Sequence, residues 1–99
     1  MGTEPVTVVV RIKAKPGMED LVDQELRAIL APTRSEKGCL NFDMHRAPED
    51  PALFLFHENW TSRADLDRHL AAPHITRWIE RAEKLLAEPM DLTLWRRVG

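Results

Sequence analysis

The sequence predicts an α+β domain in which helices cover one face of a four-stranded antiparallel sheet. Two kinds of hydrophobic spacing support this prediction. Apolar residues alternate with other residues in some segments, as in strands, and recur three or four positions apart in others, as in helices. The segments follow one another as strand, helix, strand, strand, helix, strand, which is the order of the split βαβ arrangement.

The first strand and helix are separated by a clear turn signal. Residues 6–13 carry apolar side chains at every even position, and Pro16 with Gly17 ends this strand. From Met18 onward the spacing becomes helical, with Pro32 or Gly38 as the limit of the helix. Its predicted buried face consists of Leu21, Val22, Leu26, Ile29 and Leu30.

The next two strands form a predicted hairpin. Leu40, Phe42 and Met44 alternate with polar residues, and residues 53–60 form a second run rich in large apolar side chains. Turn-forming residues occupy positions 48–51 between the two runs. We therefore expect these strands to pair antiparallel.

The second helical region is interrupted by a proline. Ser62 and Asp65 resemble a capping box at its start, and Pro73 suits the first turn of a restarted helix. Pro89 is expected to stop that helix, and residues 92–98 to form the last strand. The predicted buried face of the restarted helix consists of Ile75, Trp78, Ile79, Ala82, Leu85 and Leu86.

Both faces of the predicted sheet carry apolar side chains. Val8, Phe54 and Phe56 fall on one face, whereas Leu55 and Trp95 fall on the other. Helices can cover only one of these faces, and a domain of 99 residues has a small core of its own. The sequence therefore predicts a homodimer formed through the second sheet face, with residues 92–98 as the segment that reaches the partner.

Composition excludes several classes of function. The formal net charge is −2 with both signs interleaved, so no basic stripe is available for nucleic acid. No apolar run approaches the length of a membrane span, and the first residues do not resemble a signal peptide. The single Cys39 allows no internal disulfide. A cytoplasmic location is the resulting expectation, with one domain over residues 1–99.

Three short motifs carry a resemblance to a known family. They are Gly38-Cys39-Leu40 at a strand start, Glu58-Asn59-Trp60 at a strand end, and the helix break Leu70-Ala71-Ala72-Pro73-His74. Their order resembles the antibiotic biosynthesis monooxygenase superfamily, and most of all its quinol monooxygenase-like members. The resemblance implies a ferredoxin-like βαββαβ fold and a dimeric α+β barrel.

The resemblance also implies a chemistry. Many members oxidise quinols or related small aromatics with O₂ and without any cofactor, so that an apolar pocket and a proton-accepting group suffice. Trp60 is the candidate catalytic residue that the resemblance implies, and the positions of Glu58, His69 and His74 near that strand end add these three as further catalytic candidates. The candidate substrate-binding residues are Phe42, Phe56, Leu66 and Trp78. Haem degradation is disfavoured, because the first strand offers Val8 and Val10 where that branch has an asparagine.

Two roles remain open for the histidines that flank the helix break. Glu58 and Trp60 lie two residues apart and share one strand face, where a buried carboxylate needs a partner. His69 and His74 are the expected partners. Such a pair could hold an imidazole as a general base near neutral pH, or pin the broken helix to the sheet as a structural clamp.

The other polar residues are weaker candidates. His57 and Asn59 share the face opposite Glu58 and are expected at the dimer interface. Asn41 and His45 share one face of the second strand. The histidines show no ligand spacing with carboxylates or cysteines apart from His69 and His74, so the sequence predicts no metal site, and Cys39 is expected to be a buried, inert thiol.

Two functions therefore stay open at this point. One is a cofactor-independent monooxygenase acting on a quinol. The other is a dimeric binding or accessory domain, or an isomerase-like protein, that holds a small aromatic without consuming oxygen.

Overall fold

A computed structural model of the chain describes residues 4–99. The strands and helices, in chain order, are β1 (Val6–Lys13), α1 (Glu19–Ala28), α2 (Leu30–Arg34), β2 (Cys39–Ala47), β3 (Asp50–Trp60), α3 (Arg63–Leu70), α4 (Pro73–Leu85) and β4 (Asp91–Trp95). The strands form one antiparallel sheet in the order β2-β3-β1-β4. The predicted α+β, ferredoxin-like fold is confirmed. No helix in this part of the chain is both long and apolar enough to cross a membrane.

The first predicted helix is divided into α1 and α2 at Ile29. Pro32 has no backbone N–H and cannot bond the carbonyl four residues earlier, so the helix breaks there and restarts with Pro32 in its first turn. Val22 and Leu26 fill the inward face of α1. The prediction that Leu21 belongs to this face was wrong, because its side chain is 38% exposed.

The second helical region breaks where the sequence predicted. The Ser62 side chain accepts a hydrogen bond from the Asp65 backbone N–H at 3.2 Å, and Pro73 is the first residue of α4. The helix ends before the predicted stop at Pro89, because the chain that follows pairs with the end of β1: the Lys15 N–H donates to the Leu85 carbonyl and the Ala87 N–H to that of Lys13. Ile79, predicted to be buried, is 42% exposed.

The last strand is shorter than predicted. Its pairing with β1 ends at the Thr7 and Trp95 pair, close to the point where β1 itself begins at Val6. Residues 96–98 pair with no strand among residues 4–99 and are not part of β4.

The two sheet faces differ in the way the sequence predicted. Helices cover one face, where Val8, Phe54 and Phe56 are buried. On the opposite face, called the open face below, Leu55 is half-buried and Trp95 is 59% exposed. The fold thus supplies cover for only one side of the sheet.

Asp65 fixes the loop before β2 against the start of α3. Its carboxylate accepts hydrogen bonds from the hydroxyls of Thr61 and Ser62 and from the Arg68 guanidinium, and these bonds lower its pKa to about 2. Gly38 passes directly beside this carboxylate with φ of +83° and accepts a hydrogen bond from the Thr61 N–H at 2.9 Å. The residues just before Gly38 are therefore held close to α3.

We expect Gly38→Ala to destabilise the protein more than Gly17→Ala. Both glycines have positive φ, so each substitution costs about 1 kcal/mol of backbone strain. A Cβ at Gly38 would also overlap the Asp65 side chain, whereas one at Gly17 meets nothing within 4 Å, so we expect a total of about 2–4 kcal/mol at Gly38. Urea unfolding of both variants measures the difference, and equal losses would contradict a tight contact at Asp65.

Candidate active site

An apolar cavity of about 200 Å³ lies between the helix-covered face of the sheet and the helices. Eleven of its thirteen lining residues are apolar, and the two polar ones are Glu58 and His69. Ile79 and Leu92 are about 40% exposed and mark the side at which the cavity meets solvent. The apolar lining consists of Val10, Ile12, Ile29, Phe42, Phe56, Leu70, Ile75, Trp78, Ile79, Met90 and Leu92.

Glu58 is a buried carboxyl group that faces this cavity. It lies on β3, and its residue is 3% exposed. Among residues 4–99 its side chain receives one hydrogen bond, from the Trp60 indole N–H to Oε1 at 2.9 Å. Burial raises the pKa of Glu58 to about 7, with a further upward contribution from the charge of Glu36 and an opposing one from the indole. Glu58 can therefore both hold and release a proton near neutral pH.

The expected pairing of Glu58 with His69 or His74 was wrong. Positions two apart on β3 bring the Trp60 indole to the Glu58 carboxyl, and the two imidazoles bind another carboxylate. That carboxylate is Glu36, in the loop between α2 and β2. The Glu36 Oε2 atom lies 2.7 Å from His69 Nδ1 and 3.2 Å from His74 Nε2.

The contact with Glu36 determines which nitrogen of His69 carries a proton. An ionised carboxylate can only accept, so the Nδ1–H of His69 donates to Glu36 and the Nε2 of the neutral ring is an acceptor. Burial lowers the pKa of His69, while the hydrogen bond and charge of Glu36 act in the opposite direction. The ring thus offers an unprotonated Nε2, as a general base requires.

Aromatic rings hold the His69 imidazole in place. The Trp60 ring lies 4.5 Å from it, centroid to centroid, and the Phe42 ring lies 5.6 Å away. Phe42 also stacks on Phe56 with centroids 4.7 Å apart. Packing on both rings and bonding to Glu36 together restrict the orientation of His69.

The predicted site residues divide into two groups. Phe42, Phe56 and Trp78 line the cavity together with Glu58 and His69. Trp60, Leu66 and His74 do not line it. Trp60 was expected in the pocket wall, but it is completely buried behind His69, and Leu66 is 1% exposed in the core. His74 lies behind Glu36, where its Nε2 is also 3.0 Å from the Thr33 hydroxyl.

Sequence reasoning missed Glu36. This residue stands in a loop, 33 positions from His69 and outside every motif that carried the family resemblance. The one signal for Glu36 in the sequence was its position two residues before Gly38. A glycine in a tight loop marks a place where the backbone passes close to another part of the chain.

The other polar candidates lie away from the cavity. Asn41, His57 and Asn59 are on the open face, where the Asn59 amide donates to Asn41 at 2.8 Å and Thr7 donates to Asn59 at 2.5 Å. This face carries a broad depression of about 840 Å³ that these side chains line. Cys39 is half-buried, and burial raises the pKa of its thiol, as expected for an unreactive cysteine.

We expect Glu58→Gln to stabilise the protein at pH 8 and to have little effect at pH 5. Glu58 loses its proton near pH 4.5 in the unfolded chain but only near pH 7 in the folded protein. The unfolded state is therefore favoured increasingly, and the free energy of unfolding falls, as the pH rises from about 4.5 to about 7. Glutamine can still accept from the indole but cannot ionise. The pH-dependent gain should be about 2–3 kcal/mol between pH 5 and pH 8.

Chemical denaturation at the two pH values measures this gain. Glu80→Gln, which removes an exposed carboxyl group on α4, is the matched control and should show no comparable gain at pH 8. A similar gain in both variants would mean that the gain does not come from the burial of Glu58.

Sequence and structure comparisons give a consistent result. The family model of antibiotic biosynthesis monooxygenases matches residues 5–81. A Mycobacterium tuberculosis protein named "Putative monooxygenase Rv0793" is 33% identical over 93% of this chain and 90% of its own length. An uncharacterized Synechocystis protein is 30% identical over 94% of this chain, which spans 63% of that relative's length.

Solved structures share the whole fold. The crystal structure of PA3566 from Pseudomonas aeruginosa superposes with a TM-score of 0.92 and 34% identity, covering 100% of this chain and 99% of the other. The family match spans well over half of the sequence, and the fold agrees over its full length. This chain belongs to the antibiotic biosynthesis monooxygenase family.

Proposed function

We propose that this protein is a cofactor-independent monooxygenase that oxidises a small quinol with O₂. The observation that carries the proposal is the apolar cavity, in which Glu58 and His69 are the only polar lining residues among residues 4–99. Family membership supports a monooxygenase-like activity, and the cavity supports the substrate class. A flat, apolar ring with one or two hydroxyl groups matches this lining, with its hydroxyls directed at the two polar groups.

Proton removal from the substrate is the first step. The unprotonated Nε2 of His69 takes a phenolic proton, and Glu36 stabilises the resulting imidazolium through Nδ1–H. The electron-rich anion then reduces O₂ in the same cavity. One oxygen atom enters the ring, the other leaves as water, and the quinol ends as a hydroxyquinone. Glu58, with its pKa of about 7, supplies a proton to the reduced oxygen.

The cavity also limits the size of the substrate. Its volume of about 200 Å³ is somewhat larger than the roughly 150 Å³ of apolar cavities that bind benzene. Single-ring and small two-ring quinols fit this space better than three-ring anthrones do. We therefore expect hydroquinones and naphthohydroquinones to be the better substrates.

We expect chelator-treated protein to consume O₂ with these quinols and His69→Asn to reduce the rate at least about 100-fold. Asparagine keeps an N–H that can donate to Glu36 but lacks the Nε2 acceptor. His45→Asn, which changes an exposed histidine outside the cavity, is the matched control and should retain full activity. An oxygen electrode measures uptake above the autoxidation rate of each quinol.

Two results would contradict this assignment. Full activity in a folded His69→Asn protein would exclude this histidine as the base. No uptake with any quinol, while the same compounds raise the melting temperature, would instead favour the binding or accessory domain.

A second copy of this chain is the proposed cover for the open face. Leu55 and Val9 are half-buried there, and Trp95 and Val98 are 59% and 89% exposed. Apolar side chains on a sheet face gain free energy when a second sheet excludes water from them. Residues 96–99 extend beyond β4 and are free to contact the partner.

We expect size-exclusion chromatography with light scattering to give the mass of a dimer and Leu55→Glu to give that of a monomer. The introduced carboxylate lies beside Arg11 and His45 on the same face and would have to lose its water in the dimer, a cost in free energy that opposes association. Leu21→Glu on the helical side is the matched control, because Leu21 is 38% exposed and lies away from the open face. A monomeric wild-type protein, or a dimer in both variants, would contradict an interface at this face.

A further inference from the structure

We propose that Glu36, His69 and His74 form a binding site for a divalent transition-metal ion such as Zn²⁺, and that the bound ion switches off His69 as a base. The proposal of a binding site rests only on the positions of these three side chains. Its effect on catalysis rests on the function proposed above.

The three side chains bring three ligand atoms to one point. These atoms are Glu36 Oε2, His69 Nδ1 and His74 Nε2, and all lie within 4.8 Å of one another. The carboxylate oxygen is 2.7 Å from one nitrogen and 3.2 Å from the other. Metal–ligand distances of about 2.0–2.1 Å separate the ligand atoms of a tetrahedral site by roughly 3.3 Å. Small side-chain movements would therefore suffice to admit an ion.

The three ligands come from separate parts of the fold. Glu36 is in the loop before β2, His69 is near the end of α3, and His74 is in the first turn of α4. The break between α3 and α4 lies between His69 and His74, and their ring centroids are 6.3 Å apart. Two nitrogen ligands and one oxygen ligand with open coordination positions suit Zn²⁺ and its first-row neighbours.

Burial and charge also favour a cation. The side chains of His69, His74 and Glu36 are 4%, 19% and 15% exposed, so an ion would be largely shielded from water yet could enter from solvent. Glu36 contributes a negative charge at the centre of the group. The Thr33 hydroxyl, 3.0 Å from His74 Nε2, is a suitable hydrogen-bond partner for a water on the metal.

An ion in this site would exchange the protonation of the two ring nitrogens of His69. Without metal, Nδ1 carries the proton that Glu36 accepts, and Nε2 is free. A neutral imidazole binds metal through its unprotonated nitrogen, so coordination at Nδ1 moves the proton to Nε2. His69 would then present a donor to the cavity in place of an acceptor, and it could no longer remove the phenolic proton.

The binding experiment uses chelator-stripped protein titrated with Zn²⁺ by calorimetry and with Co²⁺ by visible absorption. We expect one ion per chain, and at least about tenfold weaker binding in Glu36→Gln and in His74→Asn. The double variant His45→Asn/His57→Asn removes two exposed histidines of the open face and should bind as the wild-type protein does. Circular dichroism checks that each variant is folded.

Two binding results would overturn the site. One is the absence of stoichiometric binding. The other is binding that survives loss of Glu36 or His74 but disappears with His45 and His57.

The switch has two separate readouts. Nitrogen-15 chemical shifts of His69 should show a proton on Nδ1 without metal and on Nε2 with Zn²⁺, whether or not the protein oxidises quinols. In the oxygen electrode, Zn²⁺ should inhibit uptake by the wild-type protein, and His74→Asn, which changes a ligand outside the cavity, should shift this inhibition to at least tenfold higher Zn²⁺.

Unchanged nitrogen shifts, or faster uptake with Zn²⁺, would overturn the switch. If no quinol is oxidised at all, the catalytic proposal fails while the binding and nitrogen-15 results still decide the metal site.

Discussion

The close approach of Gly38 to the Asp65 carboxylate is the contact on which the candidate site depends. Asp65 is bonded by Thr61, Ser62 and Arg68, so it joins the end of β3 to the start of α3. Only a residue without a side chain can pass beside it. The loop that carries Glu36 is thereby held against α3. Together with the backbone hydrogen bonds of Glu36 to Thr33 and Cys39, this contact positions the loop carboxylate at the two imidazoles of the broken helix.

The fold supports the two polar groups of the cavity in different ways. Placing the Glu58 carboxyl under the helices with one hydrogen bond from Trp60 raises its pKa to about 7. A fold selected for stability alone has no reason to keep such a group on the wall of an apolar cavity. His69 is different, because Glu36 and two aromatic rings satisfy and orient it. The cavity wall therefore contains one titratable group with a single hydrogen bond, Glu58, and one that several contacts orient, His69.

Local patterns predicted most of the fold but only part of the site. Strand periodicity identified the sheet faces, and Ser62 and Pro73 identified the helix starts, because these signals act over a few residues. The same patterns put Phe42 and Phe56 on the cavity side. They misassigned Trp60 to the cavity wall, since sharing a strand face does not specify depth beneath the helices. They also paired Glu58 with His69 and His74, whereas Glu58 bonds Trp60 on its own strand and the histidines bond Glu36. The contact with Glu36 is long-range and leaves no periodic signal.

The sequence by itself determined the order of strands and helices, the apolar character of both sheet faces and the family resemblance. Each of these follows from residue type and spacing along the chain. Only the tertiary structure decided that Glu36 meets His69 and His74 and that a cavity of about 200 Å³ remains beside His69. The physical reason is that these contacts join residues from different elements, whose distances depend on how the helices pack on the sheet.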